Sequence, residues 1–217
     1  LIRRKENSNV FGLSSPLIID KVTGKKFGKS EGNAVWLDPE MTSPFSFYQF
    51  WINLSDESVE DYLKVFTILS MDEISAAMEL HRRNKGERGA QRLLGFKVTE
   101  LVHGEQVALS SQKISEVLFG EIGPEHLSLE QIEDLKREAP SCRIQEGESI
   151  VDVLVRSGLA DSKREARQLL SNGAVLLNSE TISEPDRSVG EQDFSNGVAL
   201  LKKGKRSVCI LVRAKKA

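Results

Sequence analysis

Cysteine is scarce: Cys142 and Cys209 are the two in 217 residues. They lie far apart and share no C-x-x-C spacing, which excludes a zinc ribbon or a dithiol redox motif. Both read as reduced thiols, Cys209 inside an apolar strand. Histidine is almost as sparse. His81, His103 and His126 have no ligand-like spacing, so no metal site is expected and surface or helix-end positions are predicted for all three. No apolar run approaches the ~18 residues that a membrane span needs. The start, Leu1-Ile2-Arg3-Arg4-Lys5-Glu6, has no apolar stretch after its charges, unlike a signal peptide. It also has no initiator Met, so the chain is expected to be a piece of something longer.

What is present is the composition of an ordinary globular protein, 39% apolar and 29% charged. The net charge of −2 hides an asymmetry. Residues 1–38 carry seven Lys/Arg against four Asp/Glu, residues 39–144 eleven against eighteen, and residues 145–217 twelve against ten. An acidic middle between basic ends predicts separate modules, with polyanions directed to the ends.

Patterning divides the chain accordingly. Residues 10–38 read as short strands, Pro16-Leu17-Ile18-Ile19 and Ala34-Val35-Trp36-Leu37, belonging to a larger sheet. Helical periodicity begins at Ser43-Pro44, an N-cap followed by proline at the first helical position. Phe45, Tyr48, Trp51 and Ile52 share a face, and Val59, Leu63 and Phe66 continue the pattern. Ser70 to Glu73 spells a capping box that opens a helix carrying Ile74, Met78 and Leu80. Further helices are predicted over Ala90–Val102, Val107–Phe119 and from Ser128 to before Pro140, giving an all-helical domain over 39–138. Residues 139–148 read as a linker. A short helix from Ile150 to Arg156, a second capping box at Ser162 and Glu165, and two hairpins turning at Asn178-Ser179 and Lys203-Gly204-Lys205 predict a small α+β domain over 149–217.

The stretch "TGKKFGKSEGN" over 23–33 ends a Gly-Lys-Ser tripeptide, as a P-loop does. A P-loop also needs glycine five positions before Gly28, where Thr23 stands, and must open directly into a helix. Glu31-Gly32-Asn33 followed by a strand-like run fails the second condition as well. A different device fits: Lys26, Lys29 and the Ser30 hydroxyl on a loop made pliable by Gly24, Gly28 and Gly32. Such ammonium groups can converge on a triphosphate and stabilise charge that builds on departing pyrophosphate. Taken alone, the motif is a weak signal, since lysine-glycine loops are commonly just solvated turns.

Its surroundings narrow the choice. "KFGKS" resembles the KMSKS signature of class I aminoacyl-tRNA synthetases, with Phe27 and Gly28 as the tyrosyl-type variation. "VFGLSSPLI", "GNAVWLDPEMTSPFSFYQFWIN", "DYLKVFTILS" and "VTELVHGE" extend the resemblance to bacterial-type tyrosyl-tRNA synthetases, organellar ones included. The resemblance implies a multidomain fold: the end of a Rossmann-like α/β catalytic domain over 1–38, then an all-α anticodon-side domain, then a small α+β domain. It implies that Lys26, Phe27, Gly28, Lys29 and Ser30 contact ATP, supplied with Mg²⁺, and that Lys26, Lys29 and Ser30 act in catalysis. The family's HIGH-type motif and most of its tyrosine pocket are not in these 217 residues, so the chain alone is not expected to form tyrosyl-adenylate. The full-length family is dimeric, its dimer contacts lying largely in the catalytic domain, so this piece is read as a monomer candidate. Bacterial cytoplasm is the implied compartment, organellar matrix the alternative.

At the other end, Lys163, Arg164 and Arg167 fall on one side of a predicted helix whose other side carries Ala166, Leu169 and Leu170. Such a face suits phosphate contacts, although an ordinary solvated helix reads the same way. "VDVLVRSGLADSKREARQLLSNGAVLLNSETI" resembles the S4 RNA-binding module in Gly158, the Ser162–Arg167 run, Asn172-Gly173 and Val175. Ser179 stands where that module usually has glycine. The resemblance implies tRNA binding through Lys163, Arg164, Arg167, Gln168, Asn172, Lys202, Lys203, Lys205 and Arg206, with Arg82, Arg83, Arg88 and Arg92 as local basic spots on the acidic domain. A non-catalytic S4-type RNA-binding protein is the rival reading.

Overall fold

The computed structural model describes residues 2–6, 9–14, 16–22, 24, 26–27, 35–120, 122–204 and 207–214. Helix α1 spans Ile2–Glu6, and the helical domain then packs α2 (Pro44–Ile52), α3 (Val59–Phe66), α4 (Met71–Arg83), α5 (Gly89–His103), α6 (Glu105–Phe119) and α7 (Leu129–Glu138). Its caps are those that the sequence predicts. Ser43 Oγ accepts from Ser46 N at 3.2 Å with Pro44 behind it. The Ser70 and Glu73 side chains satisfy each other's backbone N–H groups, and Ser128 with Gln131 repeats the box at α7. Phe47, Trp51, Val59, Tyr62, Leu63, Ile74, Met78, Leu94 and Val98 form the core.

One position on α4 departs from expectation. Leu80 is exposed, while His81 is 3% exposed, with Nε2 3.3 Å from Asp56. Ile74, Met78 and His81 follow i, i+4, i+7 spacing, so the buried stripe runs through His81 and leaves Leu80 outside. His103 is half-buried and sets its ring edge-on to Phe47 at 5.1 Å, where burial lowers its pKa. Of the three histidines, His126 is the one exposed.

Among the described residues, 10–38 contain no strand. The one pairing there is an isolated bridge between Ile19 and Lys26. An extended run gains ladder hydrogen bonds only from a neighbouring strand, and Ile18 and Val35 pack against the helical core instead.

The C-terminal unit holds α8 (Ile150–Arg156), α9 (Lys163–Ser171) and a five-stranded sheet of order β1-β5-β4-β2-β3. Its strands are β1 (Ser141–Ile144), β2 (Val175–Leu177), β3 (Glu180–Ile182), β4 (Val198–Lys203) and β5 (Ser207–Arg213). The segment read as a linker therefore supplies a strand: β1 pairs in parallel with β5, from Ser141 opposite Ile210 to Ile144 opposite Arg213. The other neighbours are antiparallel.

Strand β4 is buried on both faces. Ala199 and Leu201 join Ile150, Leu154, Ala166 and Leu170 beneath α8 and α9. Val198 and Leu200, with Ile210 of β5, face the other way, onto Ile114, Val117 and Leu118 of α6, Ile132 and Leu135 of α7, and Phe45 of α2. A sheet covered on both sides reads as a continuous apolar run, as Val198-Ala199-Leu200-Leu201 does. The second core welds the C-terminal unit to the helical domain.

Candidate nucleic-acid interface

Helix α9 owes its exposed face to its own amphipathicity. Ala166 and Leu170 are buried, whereas Lys163, Arg164, Arg167, Gln168 and Asn172 are exposed. Ser162 Oγ accepts from Glu165 N at 3.2 Å, as a capping residue should. The reciprocal bond differs from the predicted box: Glu165 accepts from Asp161 N, at 2.8 Å, one residue earlier than expected. Glu165 also accepts from Lys203 Nζ at 2.9 Å, tying α9 to β4, and this bond draws the carboxyl below its usual range. Lys163 pairs with Asp152 at 2.6 Å. Arg164 and Arg167 have no ion pair among the described residues, which leaves two guanidinium groups in solvent on adjacent turns.

Lys202 does not belong to that surface. It is 6% exposed, and its Nζ donates to the carbonyls of Val117 at 2.9 Å and Gly120 at 3.0 Å. Period-2 alternation puts it on the face of β4 that covers α6, where it meets the carbonyls that a helix leaves unpaired at its C-terminus. Burial holds its ammonium below the ordinary lysine value. Lys203, on the opposite face, is half-buried against Glu165. Lys205 and Arg206 lie outside the described residues.

The basic spots of the helical domain divide in the same way. Arg82 pairs with Glu60, and Arg83 with Glu79. Arg88, with φ 54°, donates to the carbonyls of Ile52 at 2.6 Å and Leu54 at 2.7 Å, holding the turn after α2. The Arg92 side chain is exposed without an ion pair among the described residues. Gln91 donates to Asp56 at 2.5 Å beneath them.

At the N-terminal end, the phosphate-loop residues fall unevenly. Gly28, Lys29 and Ser30 lie outside the described residues. Lys26 is exposed and bridges Ile19, across a turn closed by Gly24 N to Asp20 O at 2.8 Å with Gly24 at φ +66°. Phe27 sits at the edge of the helical core. Its ring packs against Phe50, Trp51, Tyr62 and Phe66 with centroids 5.0–5.9 Å apart, and its N–H donates to Ile18 O at 2.9 Å. A large apolar ring is better buried among aromatic neighbours than set against a triphosphate, so Phe27 anchors the loop's base. The turn is fastened to α3 as well, by Lys21 to Asp61 at 2.6 Å.

With this geometry in hand, comparison with known proteins is decisive. The family described as tRNA synthetases class I (W and Y) matches residues 1–120. The chain belongs to this family, on its tyrosyl branch. The description "Tyrosine--tRNA ligase SYY-like C-terminal domain" matches residues 131–211. Tyrosine--tRNA ligase 2 of Enterococcus faecalis is 43% identical over 215 residues, a match covering 97% of this chain and 50% of that protein. Tyrosine--tRNA ligase of Streptococcus pneumoniae is 41% identical, with 97% and 51% covered. A crystal structure of a C-terminally truncated Aspergillus nidulans mitochondrial tyrosyl-tRNA synthetase aligns with 40% of this chain and 24% of its own, at 42% identity and a TM-score of 0.40. The chain thus spans about half the length of the curated relatives it matches. The second family match begins inside α7 and runs through the sheet.

Among the described residues no cluster of His, Cys, Asp and Glu is arranged to hold a metal, and no helix is long and apolar enough to cross a membrane.

Proposed function

We propose that this chain is the tRNA-binding part of a tyrosine–tRNA ligase. The whole protein would use ATP with Mg²⁺ to activate tyrosine as tyrosyl-adenylate and pass it to tRNA(Tyr), as a homodimer working in the cytoplasm. The observation that carries the tRNA-binding reading is the α9 face, where Arg164 and Arg167 stand exposed with no acidic partner among the described residues. Two free guanidinium groups on consecutive turns are what a phosphate backbone requires. Lys163, Gln168 and Asn172 extend the same face. Lys202 is left out of it and serves the fold.

The nucleotide half of the reading rests on family membership and on the Lys26–Ser30 motif. In it, Lys26 and Lys29 stabilise negative charge on the departing pyrophosphate, and Ser30 donates to a phosphate oxygen. Phe27 holds the base of the loop in the helical core and gives its closure over ATP a fixed pivot. The domain division into a catalytic remnant over 1–38, a helical domain over 39–138 and an S4-like unit after it is part of the same proposal, with β1 now assigned to the sheet.

Two measurements on the full-length enzyme test it. Lys29→Ala is expected to slow tyrosine-dependent pyrophosphate exchange by about 10²-fold or more; unchanged exchange removes the loop assignment. Arg164→Ala with Arg167→Ala is expected to weaken tRNA binding and lower the salt slope by about one unit per charge, leaving pyrophosphate exchange intact. An unchanged slope would mean that α9 is not a phosphate contact.

A further inference from the structure

Ser58 stands at the N-cap of α3 and does not cap it. A capping serine has extended backbone and turns its oxygen back onto the first helical N–H groups. Ser58 has φ −99° and ψ −18°, already helical, and no such bond forms among the described residues. Its hydroxyl oxygen is used elsewhere. It accepts from Lys21 N at 3.2 Å, 37 residues earlier in the chain, and from Ser55 Oγ at 3.3 Å. Ser58 is 1% exposed, so the Lys21 amide is met where little water enters. Further along the first turn of α3, Asp61 pairs with Lys21 Nζ at 2.6 Å.

Helix α3 thus holds both the backbone and the side chain of one turn residue, and that turn leads into Lys26. Ile19 and Lys26 form an antiparallel bridge, and Phe27 N donates to Ile18 O at 2.9 Å. Lys26 therefore lies between two attachments to the same helix. On one side is Lys21, fastened to Ser58 and Asp61. On the other is the Phe27 ring, its centroid 5.0 Å from that of Tyr62 and 5.2 Å from that of Phe66, both on α3. Phe27 alone fixes one point and leaves the turn free to swing about it. Lys21 supplies the second point. A lysine stem is long and flexible, so where its ammonium can reach depends on where its backbone is rooted.

We infer that Ser58 and Asp61 are positioning residues for Lys26 as pyrophosphate departs. Neither acts on the reacting atoms; they set the root of the side chain that does. This inference rests on the phosphate-loop reading above and adds to it two residues of the helical domain, far from the motif in sequence. Misplacing a catalytic group by about 1 Å can cost about 10²-fold in rate, so the loss of weak holding bonds is visible in kinetics.

The test uses the full-length enzyme and tyrosine-dependent pyrophosphate exchange, with kcat counted per active site. Ser58→Ala with Asp61→Asn removes both holds, and α3 loses no cap because Ser58 supplies none. Its kcat is expected to fall about 3- to 60-fold, the range of one buried hydrogen bond and one exposed ion pair together. The KM for tyrosine is expected to stay level. In a Lys26→Ala background the same two changes are expected to cost nothing further, because their effect passes through Lys26. Lys21→Asp with Asp61→Lys restores the ion pair with its ends exchanged, and is expected to recover activity that either change alone loses. Unchanged kcat in Ser58→Ala with Asp61→Asn overturns the inference. So does an undiminished loss in the Lys26→Ala background, which marks a structural role. An exchanged pair no better than its single members overturns the part given to Asp61. If Lys26→Ala leaves exchange unaltered, the phosphate-loop reading falls and takes this inference with it. If Lys26→Ala slows exchange while Ser58→Ala with Asp61→Asn does not, that reading stands and this inference alone falls.

Discussion

Lys202 Nζ donates to the carbonyl of Val117 at 2.9 Å, joining residues 85 positions apart and closing the C-terminus of α6 with a charge from β4. Gly120 O accepts from the same ammonium at 3.0 Å. The helix end gains a cation where its dipole favours one, and the lysine gains two acceptors in a place that excludes water. Lys202→Met keeps the stem's volume but strands both carbonyls. It is expected to cost about 1–3 kcal/mol of stability, read as a lower urea midpoint. The salt slope of RNA binding is expected to remain as in the wild type. A lowered slope would return Lys202 to the RNA surface.

The turn between β2 and β3 is strained at one residue. Asn178 and Ser179 have φ of 48° and 74°, the two-residue type I′ geometry that matches strand twist. Asn178 is well suited to it. Its Oδ1 accepts from Leu200 N at 2.8 Å, and its own N–H donates to Leu200 O at 2.9 Å. Ser179 has no such compensation: among the described residues its buried hydroxyl has no hydrogen-bond partner. Ser179→Gly removes both the left-handed penalty and the orphaned hydroxyl, and is expected to stabilise the protein by about 1–2 kcal/mol. Thermal unfolding of the two chains compares them directly; a lower midpoint in the glycine variant refutes the strain argument.

Much of this architecture is legible before any coordinates. Every helix from α2 to α9 follows from period, caps and glycine stops, because those signals are local. The misreadings share a cause: each depends on what a distant residue supplies. Ser141-Cys142-Arg143-Ile144 has no alternating apolar pattern and becomes strand only because β5 offers an open edge. Lys202 reads as surface because lysines usually are, and only the carbonyls of α6 explain its burial. His81 was within reach, since it falls on the stripe set by Ile74 and Met78. For the candidate site, the exposed arginines of α9 were legible from helical spacing.

Glu165 gives α9 a dependence on pH. Its folded-state pKa lies below the ordinary carboxylate value, chiefly through the bond from Lys203 and then through that from Asp161 N. A depressed folded pKa means stability that is fully present above the unfolded carboxylate pKa and is lost as pH falls through the folded one. Acidification from about pH 6 toward about 3 is therefore expected to loosen the start of α9. In Glu165→Gln the part of the acid limb due to this group disappears. Thermal midpoints of both chains across that range check it: parallel curves would mean that Glu165 contributes nothing to the acid response.

Helices α2 and α5 meet at Gly95. A Cβ added there would lie 3.2 Å from the Tyr48 ring and 3.3 Å from the Tyr48 carbonyl, so something must give by a few tenths of an ångström. The carbonyl is held within α2, and Tyr48 is 1% exposed, which leaves its ring no direction in which to swing. Alanine gains up to about 1 kcal/mol of helix propensity over glycine, and overpacking a full core costs about 1–3 kcal/mol. The second effect wins because neither neighbour is the free end of a flexible side chain. Gly95→Ala is expected to destabilise by about 1 kcal/mol, and a β-branched residue there by more. Tyr48 supplies an independent readout. Burial pushes its phenol up to about 12, and a helix pair wedged apart admits water, so its ultraviolet titration is expected to move down toward the ordinary tyrosine value of about 10. A variant that is no less stable and still titrates near 12 would mean that the two helices have room to spare at their closest point.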